Sequence, residues 1–318
     1  MPTSSQPPVR IGTRASKLAL TQSGIVQRQI AAALGAPAER ADEVAPLVRI
    51  TTTGDRVQDR RLLEIGGKGL FTKEIEEALL AGRIDCAVHS LKDMPAELPP
   101  GLVIGAIPER EDPRDVFISH KAASLAELPQ GALLGSASLR RQAQSLHERP
   151  DLEILNLRGN VDTRLAKLEA GAADAILLAL AGLSRLGLAG RATAILDPVE
   201  KPPAPGQGAL AIEVRAEDVG APWLAALRHR PSIVAVAAER GALAALEGSC
   251  KTAIGAHARL TGNRLSLIVE ALTPDGARRF RQAGETDVGG ADGEAQARAL
   301  GIRLGDAVRA EGGSALSL

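Results

Sequence analysis

The chain repeatedly places arginine where a strand is expected to turn into a helix. Arg14 and Ser16 stand in IGTRASKLAL, Ser136, Ser138, Arg140 and Arg141 in GSASLRRQAQ, and Arg158 and Arg164 in LNLRGNVDTRL. Arg185 follows the last strand expected in that second series. A helix start offers free backbone N–H groups and the positive end of the dipole, so cations are disfavoured there unless they face an anion. A guanidinium also matches a carboxylate in a two-point fork. The pattern points to a small ligand carrying several carboxylates. Any one of these arginines alone reads better as a solvated residue at a helix end; the repetition carries the inference.

Three other places hold reactive groups. Lys92 and Asp93, in AVHSLKDMP, follow a buried strand and precede Pro95, and strand ends are where doubly wound sheets gather their sites. Read alone they make an exposed turn. Beside a cationic cleft, the aspartate is the group able to stabilise a positive charge and pass protons. Lys68 lies in GGKGLF and is followed by Gly69 and Leu70, so a phosphate loop, which needs Ser or Thr after the lysine, is excluded. The segment reads as a loop entering a helix with Lys68 near the cleft mouth, or as a structural turn. Cys250 lies in LEGSCKTAIG beside Lys251, a neighbour that favours the nucleophilic thiolate; an unreactive loop thiol stays equally open. Cys86, in mid-strand, reads as a small buried hydrophobe. The five histidines show no ligand spacing, and no metal is expected.

These groups need a scaffold. Strands are expected at 9–13, 47–53 and 84–89, with helices at 16–33 and 71–80. A second series comes next, with strands at 116–119, 132–136, 152–157 and 175–179 and helices from 139 and over 161–170. Alternation of this kind indicates an α/β fold with mainly parallel, doubly wound sheets. The charged stretch GAIPEREDPR and the Pro/Gly-rich DPVEKPPAPGQG read as two crossings between lobes. Beyond them come a strand at 209–214, helices near 223–227 and over 233–246, and a hairpin of 256–260 with 265–269. The expected division is a first lobe of 1–108 with 209–228, a second lobe of 109–208, and a C-terminal domain of 229–318. Two lobes joined by two crossings leave a cleft for a ligand.

Composition narrows the function. Of 318 residues 45% are hydrophobic but only 1% aromatic, so base stacking is a poor basis for recognition. Lys and Arg number 38, balanced by 38 acidic residues, which argues against nucleic acid. Eight are Lys, leaving 30 Arg. Two cysteines make no disulfide framework, and no apolar run approaches a membrane span. A cytoplasmic protein with no nucleic-acid or membrane partner is expected.

Taken together, the motifs resemble porphobilinogen deaminase. IGTRASKLAL, GGKGLFTKEIE, IDCAVHSLKDMP, EREDPRDVF, GSASLRRQAQ, LRGNVDTRL, LALAGLSRLG, PAPGQGAL and LEGSCKTAIGA run in family order from about residue 9 to 260. The resemblance implies two lobes of the type II periplasmic-binding-protein kind and a small α+β C-terminal domain with an antiparallel sheet. It implies a monomeric transferase of porphyrin (haem) biosynthesis that joins four porphobilinogens head to tail into hydroxymethylbilane, releasing ammonia. It places a self-assembled dipyrromethane cofactor on Cys250 through a thioether. Cofactor carboxylates would fall to Arg14, Ser16, Lys92, Ser136, Ser138, Arg140, Arg141, Arg158 and Arg164. Substrate contacts would fall to Arg14, Arg158, Arg164, Arg185, Gln207 and Lys68, and catalysis to Asp93 with Lys92. Glu64 and Ala137 depart from residues found in some relatives, removing one possible cation and one possible donor. The rival reading is a non-catalytic two-lobed carboxylate receptor or regulator, which gives no reason for Cys250 or a third domain.

Overall fold

The computed structural model describes residues 7–56, 72–246 and 252–316; Lys68 and Cys250 lie outside them. The described residues fall into two compact units. One holds 7–109 and 210–229, the other 110–209 and 230–316.

The first unit is built on short apolar runs. Strands β1 (Ile11–Thr13), β2 (Leu47–Arg49), β3 (Cys86–Ser90), β4 (Leu102–Ala106) and β10 (Leu210–Arg215) form a five-stranded sheet in the order β2-β1-β3-β10-β4. Helix α1 (Lys17–Ala33) begins with Ser16 as its cap, the Ser16 Oγ accepting from the Ala19 N–H at 3.3 Å. It buries Val26 and Ile30 against Ile11, Cys86 and Val88. Helix α2 (Lys73–Leu80) packs Ile75, Ala78 and Leu79 on Ile84 and Ala87, on the opposite face. Gly12 leaves room for the Ile84 side chain, whose tip would lie 2.3 Å from a Cβ placed there.

The second unit repeats the plan. Strands β5 (Asp115–Ser119), β6 (Leu133–Gly135), β7 (Glu153–Leu155), β8 (Ala175–Ala179) and β9 (Ala194–Ile195) run in the order β7-β6-β8-β5-β9. Its helices are α3 (Leu139–Glu148), α4 (Val161–Glu169) and α5 (Leu180–Arg185). The same unit carries a separate three-stranded antiparallel sheet of β11 (Ala253–Thr261), β12 (Arg264–Leu272) and β13 (Arg279–Asp287), backed by α6 (Arg230–Leu246) and α7 (Gly293–Gly312).

Mainly parallel sheets were expected, and in each five-stranded sheet four strands run the same way with one inverted. β1 is parallel to β2 and β3, whereas β10 is antiparallel to β3 and β4. Likewise β6 is parallel to β7 and β8, whereas β5 is antiparallel to β8 and β9. The inverted strands, β10 and β5, are the ones that come directly after a crossing. They enter their sheet without a crossover helix, the element that enforces parallel pairing. Other differences are local. β2 stops at Arg49, and Thr53 instead opens a short helix (Thr53–Arg56), its N–H and hydroxyl both donating to Glu74. β4, β13 and α7 were not expected. Glycines hide α7 from a propensity reading, yet they let it touch α6: a Cβ on Gly301 would lie 1.9 Å from the Ala238 carbonyl oxygen, and one on Gly305 2.7 Å from the Ala245 Cβ.

One ion pair fastens four segments of the second unit. Arg110 donates from both Nη atoms to Glu239 at 2.8 Å, from Nε to the Gln207 carbonyl, and its backbone N–H reaches Ser232. Glu239, fully buried, also accepts from the N–H groups of Gly206 and Ala258. Removing one partner leaves a buried charge unopposed. Arg110→Ala is therefore expected to lower the unfolding free energy by about 3–5 kcal/mol in urea titration; a loss under about 1 kcal/mol would show the pair to be incidental.

Candidate functional site

The expected site residues gather at one edge of each five-stranded sheet. In the first unit the register pairs Ile11 with Cys86 and Gly12 with Ala87, so the parallel strands β1 and β3 run side by side towards the same edge, β3 reaching further, to Ser90. Arg14 and Ser16 follow β1, both half-buried; Lys92 and Asp93 follow β3 in a short 3-10 turn (Leu91–Asp93). Leu91 and Met94 are buried and pin this turn, which leaves Lys92 half-buried and Asp93 exposed. Gln22 of α1 donates to the Ser90 hydroxyl at 2.9 Å, and Ser23 to Thr13 at 2.7 Å. These bonds fix the helix that carries Ser16 against the strand that carries the turn. Cys86 is fully buried, and burial pushes its thiol up, which suits a packing role.

In the second unit Gly135 pairs with Leu155 and with Ile176, so β6 and β7 end together and β8 runs on past them to Ala179, towards the same edge. Ser136 and Ser138 follow β6. The Ser136 Oγ accepts from the Ser138 N–H at 3.2 Å, and the Ser138 Oγ accepts from the Arg141 N–H as the cap of α3. Each hydroxyl keeps its proton for donation. Arg158 and Arg164 flank the turn at Gly159, both half-buried. Gly159 has φ 125°, a conformation that favours glycine. Arg164 Nε donates to the Gly159 carbonyl at 2.8 Å. Arg185, at the end of α5, donates to the Gly208 carbonyl at 2.7 Å.

Arg140 and Arg141 turn inward. Arg140 Nη1 donates to Asp115 Oδ2 at 2.7 Å, and Arg141 Nη2 and Nε donate to Asp115 Oδ1 at 2.8 and 3.1 Å. The guanidiniums are 5% and 6% exposed and the carboxylate 1%. Burial pushes the Asp115 carboxyl up, but the two cations outweigh it and hold it well below the ordinary carboxylate range. Gln207 completes the cluster. Its Nε2 donates to Asp115 Oδ1 and to the Pro113 carbonyl, both at 2.7 Å, and its Oε1 accepts from Arg141. Direct ligand contacts were expected from Arg140, Arg141 and Gln207; the described geometry instead joins them to an aspartate that sequence reasoning does not single out. The signal is present in EREDPRDVF, an acid opening an apolar strand.

Glu270, fully buried, also acts on Arg140 and is linked to it through Gln144. With its own partner Arg279 included, three guanidiniums share two carboxylates, an excess of one positive charge in the cluster. Arg140 Nε is also buried without a hydrogen-bond partner among the described residues. An orphaned donor, an uncompensated cation and a helix start with two hydroxyls fit a group bearing carboxylates. A metal does not fit: among the described residues no group of three or more His, Cys, Asp or Glu could hold one. Cavity size is no guide here. A cavity of about 660 Å³ lies at the face of the three-stranded sheet, lined in part by His257, Arg259 and Ile268, and contains none of the expected residues.

Comparison with known proteins places these observations in a family. The family model for the porphobilinogen deaminase dipyrromethane cofactor binding domain matches residues 9–221, and that for the porphobilinogen deaminase C-terminal domain matches residues 233–310. The chain is 69% identical over 319 residues to a porphobilinogen deaminase of Caulobacter vibrioides, covering 99% of each chain. It is 68% identical over 322 residues to that of Phenylobacterium zucineum, covering 100% of both. Among solved structures, the methionine binding protein MetQ aligns with 69% of this chain and 89% of its own, at 15% identity and a TM-score of 0.44. A periplasmic substrate-binding protein of an ABC transporter from Coxiella burnetii aligns with 73% of this chain and 96% of its own, at 18% identity and a TM-score of 0.43.

Asp115→Asn would set two buried guanidiniums against each other, and a loss of about 3–5 kcal/mol in unfolding free energy at pH 7 is expected. The sign with pH comes from the depressed carboxyl. The unfolded chain takes up its proton first, at about pH 4, so the stabilisation is complete above that pH and is lost below it. Urea midpoints of wild type and Asp115→Asn should keep a constant gap from pH 7 down to about 4 and converge below it; a gap that stays constant below about pH 4 would contradict the assignment.

Proposed function

The chain belongs to the porphobilinogen deaminase family, and from that premise we propose which residues do each part of the work. Its activity is that of a transferase of tetrapyrrole biosynthesis, deaminating porphobilinogen and joining four units head to tail into hydroxymethylbilane. Its cofactor is dipyrromethane, which when bound supplies the pyrrole end from which the product chain is extended. A carboxylate receptor or regulator with no activity is not favoured, because both family models match and full-length relatives share about two thirds of all positions.

Cys250 carries the cofactor through a thioether. Each pyrrole brings an acetate and a propionate arm, and ionised arms entering a folded protein need cationic partners. Ser136 and Ser138 donate to such arms at the start of α3, above the excess charge of the Asp115 cluster. Arg140 and Arg141 supply that charge, and Asp115 and Gln207 hold them in place. Arg14 and Ser16, with Lys92, take arms at the edge of the first sheet; Arg158 and Arg164 do so beside Gly159. Arg185, Lys68 and Gln207 serve incoming substrate, Gln207 through its grip on Arg141. The observation that supports this division most is that both sheets end their parallel strands in cations and hydroxyls at a single edge.

Asp93 carries the proton chemistry. As ammonia leaves the aminomethyl arm of porphobilinogen, positive charge develops on the pyrrole, and the Asp93 carboxylate holds it by accepting from the ring N–H. When the new carbon–carbon bond forms, the attacked ring carbon sheds a proton, which Asp93 accepts. Lys92 anchors a carboxylate arm beside it. The first unit, the second unit up to residue 209 and the remainder of the second unit are three domains. No described helix is long and apolar enough to cross a membrane, and balanced charge gives no purchase on nucleic acid. The protein works as a cytoplasmic monomer.

Two measurements test the assignment. Intact mass of the purified protein should exceed that of the sequence by two pyrrole units, and Cys250→Ser should lack the increment; an unmodified wild type that releases no ammonia from porphobilinogen would sink the reading. Asp93→Asn should fold normally yet turn over at least ~100-fold more slowly; turnover near wild type would remove Asp93 from its role.

A further inference from the structure

The first unit buries three titratable side chains that the reaction does not use. His89 Nε2 lies 2.9 Å from Glu213 Oε2 across the antiparallel pairing of β3 with β10, the side chains being 5% and 0% exposed. Ala87, two residues before His89 on the same face of β3, packs under α2 with Ile75, Ala78 and Leu79. Glu76 of α2 is buried on that side of the sheet and feels the charges of both Glu213 and His89. Glu76 Oε1 and Glu213 Oε1 are each buried without a hydrogen-bond partner among the described residues.

An ionised carboxylate oxygen left without a donor in a buried site is strongly disfavoured. The other charged groups on the packed elements bring no relief. Glu77 is exposed and adds negative charge. Arg215, two residues beyond Glu213 on β10, donates to the Leu79 and Ile84 carbonyls and pairs with Asp218. Thr72, at the start of α2, has a hydroxyl on the same side, but its oxygen is itself buried without a hydrogen-bond partner among the described residues, so it does not close a bond to Glu76. The missing donor is then a proton on one of the two carboxyl groups. Glu213 already faces the imidazole, which leaves Glu76 to carry it.

We propose that Glu76 is held as the neutral acid over the His89–Glu213 pair, and that this trio bolts α2 to β3 and so positions the Lys92-Asp93 turn. His89 stands one residue before the end of β3, and Asp93 comes four residues after His89. Anything that fixes His89 fixes the strand end from which the carboxylate projects. His89, Glu213 and Glu76 are positioning residues, acting through the turn, and this part rests on the proposed role of Asp93. The electrostatics agree: burial, opposed by Thr72 and His89 and reinforced by Glu213, leaves the Glu76 carboxyl above its ordinary value. As pH rises the unfolded chain loses this proton first, so the stability it supplies is present at low pH and falls away as pH climbs. Glutamine, neutral at every pH, suffers no such loss.

The test compares kcat and KM for Glu213→Gln, Asp93→Asn and the double variant, and follows the Tm of Glu76→Gln against wild type from pH 5 to pH 8. Glu213→Gln should lower kcat about tenfold with KM within about twofold, and should add no further loss in the Asp93→Asn background. The Tm of Glu76→Gln relative to wild type should rise as pH rises. Independent, multiplying losses in the double variant would overturn the positioning role, and a Glu76→Gln protein that falls behind wild type as pH rises would overturn the neutral acid. Near-normal turnover of Asp93→Asn alone would remove the Asp93 reading and the positioning role with it, while the Tm series still decides the protonation of Glu76.

Discussion

Asp115 opens a strand that is buried along its whole length, and it faces two guanidiniums as buried as itself. A lone carboxylate in that position would be expelled or neutralised; two lone arginines would be worse. Together they hold, because the combined attraction of the two cations for the shared anion exceeds the penalty of burying that anion. With Glu270 acting on Arg140 and pairing with Arg279, two anions set against three cations leave one positive charge in excess in the cluster that α3 opens on. That is the place in the second unit where Ser136 and Ser138 present hydroxyl protons. In the division of roles proposed above, carboxylates are drawn there by groups that the fold has oriented before any ligand arrives.

The inverted strands explain how such a cluster can be built. β5 enters its sheet directly from a crossing, so Asp115 sits level with Ala179, at the end where the neighbouring strand β8 finishes. A wholly parallel sheet would put the first residue of β5 at the far edge, away from α3. The return segment brings Gln207 to the same place, and the Arg110–Glu239 pair clamps that segment through the Gln207 carbonyl and the Gly206 N–H. Charge, strand polarity and the clamp are one device, and α6 takes part in it through Glu239.

Much of this is legible in the residues alone, and the exceptions share a cause. The turns bearing Arg14, Arg158 and Lys92-Asp93 stand out because they combine local signals: a short apolar run, a small-residue turn and a helix start. The fates of Arg140, Arg141 and Gln207 are not legible. Their partner Asp115 stands 25 residues from Arg140 and 92 from Gln207, and no local pattern links them. Strand direction escapes for the same reason, since the chain's route between units decides it. Helix α7 escapes because its glycines, read locally, weaken a helix, whereas they serve the contact with α6. Local grammar shows where chemistry stands; long-range pairing determines which groups face a ligand and which face one another.

The central claim is that one aspartate orders two arginines and leaves their surplus charge for the carboxylates of the bound pyrroles. A high-resolution crystal structure of the cofactor-loaded protein tests it most directly. Asp115 is expected to keep both guanidiniums, while a cofactor carboxylate accepts from a remaining Arg140 or Arg141 nitrogen or from the Ser136 and Ser138 hydroxyls. A structure in which both arginines have left Asp115, or in which no carboxylate approaches the start of α3, would contradict it.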